Sequence, residues 1–235
     1  MTTIQVAQQT ITPEEIIPLL SDYQMLAKFK REVLIDQAIQ SISFTPSEKA
    51  EIVQQFYQQQ GINSDSERDL WLKKYGMNWE QIKKIAVRQF KIQKFKQMTW
   101  GDKLGAYFIH RKKQLDQVVF SLIRTSKLEL AQELYFRLQA NEQSFVELAQ
   151  QYSQGSESLV GGFVGPIELG NLPSVLAEVL SQFQPKQIYP VSDGKWQMIV
   201  RLEKVIPARL DQSMVQKLLN ELFELWLIRQ LSFNG

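Results

Sequence analysis

Few side chains in this chain can do covalent or metal chemistry. His110 is the only histidine, and cysteine is absent. Thiolate nucleophiles, zinc–thiolate sites and disulfides are therefore excluded, and a histidine-based triad would have to use His110. His110 falls on a predicted helix upstream of the densest motifs, where a surface or helix-end role fits it better than catalysis. We expect no metal and no cofactor.

The stretch from 144 to 165, SFVELAQQYSQGSESLVGGFVG, is the richest in signals. Ser144 and Glu147 form a capping box that starts a helix, and a polar run over 153–158 ends it in a loop. Glycines at 161, 162 and 165 then indicate backbone with positive φ or a close approach of two chain segments. The trio lacks the Lys-Ser/Thr pair of a phosphate loop and the spacing of a dinucleotide fingerprint, so neither ligand is expected.

The composition is that of an ordinary globular protein. The 235 residues, 44% hydrophobic and 22% charged, suffice for one large or two modest domains. No apolar run approaches the ~18 residues that span a bilayer, and the first ten residues have neither a basic n-region nor an apolar h-region. We therefore expect no membrane insertion and a cytoplasmic location.

Charge is unevenly distributed although the net charge is only +2. Residues 66–113 hold 13 Lys/Arg against 4 Asp/Glu, whereas 114–206 hold 7 against 10. The basic half could steer acidic partners, or it could be a solvated helix face. No nucleic-acid recognition motif accompanies it, so a nucleic-acid partner is not expected.

Helix signals fill the chain before residue 114. Start signals occur at Thr12-Pro13, at Ser21 or Asp22 after the interruption at Pro18, at Thr45-Pro46, at Ser66, at Asn78 and at Asp102. Gly61 and Gly76 are placed to end two of these helices. The first half is predicted to be entirely helical.

The order of motifs from Leu115 to Pro207 is specific. It runs from the strand LDQVVFSLIRT through the helices SKLELAQELYFRLQ and SFVELAQQYS to the turn GGFVGPIELGNLP and the hairpin QPKQIYPV with WQMIVRLE. This order resembles the parvulin family of peptidyl-prolyl cis/trans isomerases. The resemblance implies an α+β unit with a four-stranded antiparallel sheet and surrounding helices.

The helical half resembles the N-terminal chaperone segment of SurA-type isomerases, through IDQAIQSI, NSDSERDL and GMNWEQIKKIAVRQFKIQKF. An unrelated helical bundle fused to a parvulin-like unit is the alternative. The predicted organisation is a helical chaperone-like domain at 1–113, a parvulin-like domain at 114–206 and a C-terminal segment at 207–235.

The C-terminal segment contains a helix from Asp211 to Leu231 with a broad apolar face. Such a face does not remain in water, because each large side chain that it buries contributes roughly 1.5–3 kcal/mol. We expect this helix to return to the helical domain, as in SurA-type chaperones; the alternative is a helix that dimerises.

The resemblance also implies a substrate site. The family's proline pocket corresponds to Val164, Leu172 and Leu176, and we assign Phe120 and Trp196 to substrate binding beside them. The alternative is that the three aliphatic residues are simply core side chains.

The polar centre of that site departs from the family pattern. Phe120 and Gln197 stand where the family has histidines, and Gly155 stands where it has Cys or Asp. Gln197 is the predicted catalytic residue, and Ser153 and Ser156 are candidate polar substitutes. Phe120 and Gln197 should lie on neighbouring strands and face one concave site.

The resemblance implies a peptidyl-prolyl isomerase and foldase acting on unfolded or proline-containing polypeptide clients, with low activity because the polar groups have changed. A catalytically silent peptide-binding chaperone and an adaptor for a protein-export system are the alternatives. The oligomeric state is not predicted.

Overall fold

A computed structural model describes residues 3–182 and 184–233, which form two compact units. The first unit runs to Leu104 and resumes at Val215, and the second spans Gly105–Met214. Both boundaries fall at or within helices, whereas the sequence predicts them at 113/114 and 206/207.

The first unit consists of helices with one small hairpin. Its elements are β1 Ile4–Val6, β2 Gln9–Ile11, α1 Pro13–Asp22, α2 Leu26–Ala38, α3 Pro46–Gln59, α4 Asp65–Tyr75, α5 Trp79–Trp100 and, at the C-terminus, α10 Gln212–Phe233. The second unit comprises α6 Leu104–Leu115, β3 Gln117–Thr125, α7 Leu128–Gln139, α8 Phe145–Tyr152, β4 Phe163–Glu168, α9 Ser174–Gln182, β5 Ile188–Ser192 and β6 Gln197–Ile206. Short 3₁₀ turns lie at Gly101–Lys103, Ser156–Val160 and Leu169–Asn171.

Local capping chemistry places several of these helices. The Ser144 hydroxyl accepts a hydrogen bond from the Glu147 N–H at 3.2 Å, and the Glu147 carboxylate accepts one from the Ser144 N–H at 2.9 Å. The same reciprocal box opens α3 at Thr45, and Gly76 ends α4 in the left-handed conformation, with φ 61°. These predicted helix ends are confirmed because they depend only on neighbouring residues.

Two predictions for the first fifty residues are wrong. The chain begins with the β1–β2 hairpin, in which Ile4 pairs with Ile11 and Ala7 has a φ of 51°, so the first half is not entirely helical. Helix α1 continues through Pro18 to Asp22, and α2 begins at Leu26 instead of after Ser21. Helix α1 buries no residue, so water can bond the carbonyl that Pro18 leaves free.

The second unit is built on a four-stranded antiparallel sheet in the order β4-β3-β6-β5, which confirms the predicted fold class. One face carries an apolar cluster that includes Val118, Phe120 and Leu122 of β3, covered by α9. The other face carries Ile123 and Ile199 against α7 and α8. The two clusters separate because successive strand residues point to opposite faces.

Helix α10 belongs to the core of the first unit, as the predicted fold class requires. Phe223 and Leu227 are 3% and 0% exposed and pack with Ile35 of α2 and with Ile39, which directly follows this helix. Three further aromatic rings surround Phe223: Phe95, Trp100 and Trp226. Phe29 and Val33 of α2 are exposed and lie outside this cluster.

Candidate active site

One face of the sheet gathers the predicted substrate-binding residues. Phe120 and Leu176 lie within its apolar cluster, and Val164, Leu172 and Trp196 pack against it. Phe120 and Leu176 are 1% and 6% exposed, whereas the other three are half-buried. The half-buried side chains can therefore meet a ligand, and the two buried ones support them from below.

Strand register and short turns position these side chains. Phe120 and Val164 are directly opposite each other on β3 and β4, and Leu172 follows the 3₁₀ turn that precedes α9. At the start of β6, the Asp193 carboxylate accepts hydrogen bonds from the N–H groups of Lys195 (3.0 Å) and Trp196 (2.7 Å). This turn fixes the backbone that presents the Trp196 ring.

The predicted glycine turn serves the close approach of two chain segments. Gly162 has a φ of 85°, and its carbonyl accepts a hydrogen bond from the Leu122 N–H at 2.8 Å. At Gly165, with φ 115°, an added Cβ would lie 2.6 Å from the Val118 carbonyl oxygen. Both positions therefore need glycine to bring β4 against β3.

The structure does not bring Gln197 to this site. Gln197 is opposite Thr125, while Phe120 is opposite Leu202, and the pairing between them is regular. Five residues along a strand amount to roughly 17 Å and reverse the face. Gln197 therefore shares the face of Ile199, not that of Phe120. The predicted juxtaposition of Phe120 and Gln197 is wrong, and the geometry gives Gln197 no part in this site.

A polar group that the sequence reasoning missed lies at the edge of the apolar cluster. The Arg124 Nη2 donates to the Glu157 Oε2 at 2.9 Å, and the Ser153 hydroxyl donates to the Glu157 Oε1 at 2.7 Å. The Arg124 N–H in turn donates to the Ser153 oxygen at 3.0 Å. Glu157 is 7% exposed, so its charge is held by these two partners.

Of the two serines predicted as polar substitutes, the structure places one in this group. Ser153 bonds Glu157, whereas Ser156 is exposed at the start of the next turn. His110 is exposed on α6 and is not among the residues gathered at this site.

At Gly155, the Arg124–Glu157 ion pair takes the place of the Cys or Asp side chain that the family has there. A Cβ at this position would lie 2.0 Å from the Arg124 Nη2 and 2.1 Å from the Glu157 Oε2. The space that a Cys or Asp side chain would need is therefore filled by the Arg124–Glu157 ion pair. Gly155 has an extended backbone, so space rather than conformation requires glycine here.

Arg124 also connects the polar group to the apolar cluster. Its guanidinium carbon lies 5.7 Å from the centroid of the Trp196 ring. Its Nε is buried and has no hydrogen-bond partner among the residues that the structure describes. Arg124 therefore carries one donor that is buried and unpaired, whereas Glu157 is already occupied.

Comparison with known proteins identifies this unit. Residues 112–203 match the family described as Rotamase: PPIC-type PPIASE domain. The chain carries a parvulin-type peptidyl-prolyl isomerase domain. No curated protein sequence matches the chain.

Solved structures show a similar fold. The peptidylprolyl isomerase PrsA from Bacillus cereus is 17% identical, with a TM-score of 0.51, over 99% of this chain and 91% of that chain. PrsA from Bacillus anthracis is 20% identical, with a TM-score of 0.46, over 87% of this chain and 88% of that chain. The parvulin domain of PpiD from E. coli is 22% identical, with a TM-score of 0.36, over 42% of this chain and 97% of that one. The likeness to the B. cereus protein establishes a shared fold across both units.

The isomerase domain has the apolar half of the chemistry that prolyl isomerisation needs. Rotation about the X–Pro bond has a barrier of about 18–20 kcal/mol, which comes from amide resonance, and no covalent step is required. A catalyst must hold the ring and favour the twisted amide over the planar one. Val164, Leu172 and Trp196 supply apolar contact, and Arg124 and Lys195, which both lie over the Trp196 ring, are cations able to donate to a carbonyl.

The described residues hold neither a metal site nor a membrane span. Within the described ranges, no group of three or more His, Cys, Asp or Glu side chains converges. No described helix is both long and apolar enough to cross a bilayer.

Proposed function

We propose that this protein is a peptidyl-prolyl isomerase and foldase that acts on polypeptide clients and turns over slowly. The observation that carries this proposal is the sheet face of the isomerase domain, where Val164, Leu172 and Trp196 form one apolar surface over the buried Phe120 and Leu176. This surface suits a proline ring and its neighbouring side chains, and its composition needs no cofactor.

The low rate follows from the side chains around that surface. Phe120 offers a buried hydrocarbon ring in the place of a polar group, and Gly155 offers no side chain. Preorganised donors aimed at a transition state typically contribute about 3–4 kcal/mol each. Among the described residues, Arg124 and Lys195 carry the cationic donors beside Trp196, and part of the Arg124 charge is already neutralised by Glu157.

A second function, peptide binding without catalysis, is favoured by the same ion pair. If the Arg124 guanidinium stays with Glu157 when a client binds, no donor reaches the twisted amide. The surface would then hold proline-containing segments while the first unit holds other parts of the client.

An isomerisation assay over a panel of X-Pro peptides, run beside an aggregation-suppression assay, separates these functions. We expect slow catalysis that Leu172→Arg abolishes and that Arg124→Met reduces by about tenfold or more. The matched control is Leu128→Arg, at an exposed position on α7, which should leave the rate unchanged. Suppression of aggregation with no catalysis at any X-Pro peptide would favour the silent chaperone.

We also propose that the protein works with a protein-export system, which the resemblance to foldase-type parvulins supports. In-cell crosslinking from an exposed position such as Leu159 tests it. Crosslinks to an export component are expected, and crosslinks to clients alone would argue against it.

A further inference from the structure

A cavity in the first unit belongs to no part of the site described above. It has a volume of about 840 Å³ and lies among α3, the start of α4 and the first half of α5. Ligand-binding pockets typically have volumes of about 300–1,000 Å³. The cavity is therefore large enough for a few side chains of an extended peptide.

The floor of this cavity is apolar and partly aromatic. Val53, Tyr57, Ile62, Trp79 and Val87 line it. The Tyr57 and Trp79 rings are stacked with their centroids 5.4 Å apart. Such a rigid floor favours hydrophobic side chains, because they gain contact area without ordering the protein.

Two of the four cations that line the cavity are already neutralised. Arg68 is paired with Asp65 at 2.9 Å, and Lys83 with Glu80 at 2.9 Å. Both cations also lie over the Trp79 ring, at 5.1 Å and 5.0 Å from its centroid. These contacts hold the ring in place and leave little charge for a ligand.

The other two cations, Lys49 and Lys84, form no salt bridge within the described part of the chain. Lys49 is on α3 and Lys84 is on α5, and both are exposed. Because α3 and α5 pack together, the cavity has an unpaired positive charge on two of its walls.

We propose that this cavity binds acidic segments of client polypeptides in which hydrophobic side chains are flanked by aspartate or glutamate. The hydrophobic side chains contact Tyr57 and Trp79, and the carboxylates approach Lys49 and Lys84. Lys49 and Lys84 could neutralise only two phosphates, far fewer than the contacts on which nucleic-acid affinity depends, so a peptide is the better match. The inference rests on the proposed function only in taking the ligand to be a client.

Binding to the full chain of a fluorescent, proline-free peptide with a Phe-Leu core tests the proposal. One version carries glutamates on both sides of the core, and the matched version carries lysines. We expect the acidic peptide to bind at least about tenfold more tightly, a difference of about 1.4 kcal/mol, and its affinity to fall as salt rises.

The double variant Lys49→Glu with Lys84→Glu should reverse that preference. Lys28→Glu with Lys30→Glu, exposed on α2 of the same unit, makes the same change in net charge and should leave the preference intact. Equal melting temperatures of the two double variants would show that both are folded. Affinities that follow net charge alike in both double variants would overturn the proposal.

Three further outcomes separate this proposal from its alternatives and from the proposed function. A single-stranded oligonucleotide that binds more tightly than the acidic peptide, and whose binding is lost with Lys49 and Lys84, would overturn the proposal in favour of a nucleic-acid site. The double variant Lys49→Glu with Lys84→Glu is expected to isomerise short X-Pro peptides at the wild-type rate, because Val164, Leu172 and Trp196 do not line the cavity. Absence of isomerisation in the wild type, with acidic-peptide selectivity kept, would refute the proposed isomerase and leave this proposal standing.

Discussion

At the scale of single residues, the absence of a side chain at Gly155 makes room for a part-buried ion pair. The Arg124 guanidinium and the Glu157 carboxylate occupy the space beside its Cα, within 2.1 Å of where a Cβ would be. Any larger residue must displace one member of this ion pair. Glu157 is buried, so displacement of Arg124 would leave a poorly solvated carboxylate.

We therefore predict that Gly155→Ala destabilises the isomerase domain by about 1–3 kcal/mol, the usual cost of leaving a buried polar group unpaired. Denaturant unfolding measures the change. Gly105→Ala is the control: Gly105 lies on α6, and no atom lies within 4 Å of its would-be Cβ. That change should stabilise by about 0.5–1 kcal/mol through helix propensity. A Gly155→Ala protein as stable as the wild type would show that Arg124 and Glu157 can separate at little cost.

The polar group of Arg124, Ser153 and Glu157 could not be predicted from the sequence. Arg124 and Glu157 are 33 residues apart, and no local pattern pairs them. Ser153 was recognised as a candidate only because the family's polar position is two residues away. Val164, Leu172 and Leu176 were assigned through the resemblance to the family motif, and the structure places all three at one apolar cluster.

At the scale of elements, the capping boxes and the sheet could be predicted, but strand register could not. A box involves residues three apart, so Ser144 with Glu147 is readable from the sequence alone. The face of Gln197 depends on which residue of β3 it meets, and that residue is Thr125. Pairing between distant strands is a tertiary property, and a one-residue change in register reverses every side chain.

The β1–β2 hairpin was missed for a related reason. Its turn at Ala7 has positive φ without glycine or asparagine, and its strands are three residues each. So short a pair gives no periodic signal over the usual window.

Helix α10 permits a matched test of packing on two adjacent residues. Leu227 is 0% exposed and Ile228 is 60% exposed. We predict that Leu227→Ala costs about 2–5 kcal/mol of unfolding free energy, the range for a fully buried leucine. Ile228→Ala should change stability by less than about 0.5 kcal/mol, because surface substitutions rarely do more. Equal effects at the two positions would mean that α10 presents a different face to the core.

Stability of the first unit should also depend on pH through α10. The Arg31 guanidinium bonds both oxygens of Glu224, at 2.7 and 2.8 Å, and this hydrogen bonding lowers the pKa of the Glu224 carboxyl below its usual 4.5. A lowered pKa means that the unfolded chain takes up the proton first as pH falls. The stabilisation is therefore complete above about pH 4.5 and is lost as pH falls through the lower, folded value.

Glu224→Gln should remove this acid dependence. At neutral pH the substitution should lower the free energy of unfolding by no more than about 1 kcal/mol, because Arg31 and Glu224 are both partly exposed and solvent screens the pair. Unfolding midpoints measured from neutral to acid pH give the comparison, with Glu51→Gln on α3 as the control. If Glu224→Gln and wild type lose stability in parallel below pH 4.5, Glu224 does not contribute to the acid response.

At the scale of the whole molecule, the chain leaves the first unit, forms the isomerase domain and returns. The first unit resumes at Val215, so its core is completed by residues that follow the isomerase domain in sequence. Leu218, Leu219, Phe223 and Leu227 of α10 are each no more than 3% exposed. Phe223 and Leu227 pack with Ile35, Ile39 and Ile42, so α10 is a structural part of the first unit.

A chain that ends at Leu210 should therefore separate the stabilities of the two units. It keeps the hydrogen bond from the Ala208 N–H to the Asp116 carboxylate at 2.7 Å, so the sheet retains its C-terminal support. The first unit loses about 1.5–3 kcal/mol for each of Phe223 and Leu227, which are buried in its core. We expect its helices to unfold at lower denaturant concentration and to aggregate, while the isomerase domain keeps its own transition and its activity on short X-Pro peptides. A truncated chain whose first unit stays stable and monomeric, beside a full-length chain that dimerises, would instead make α10 a dimerisation helix.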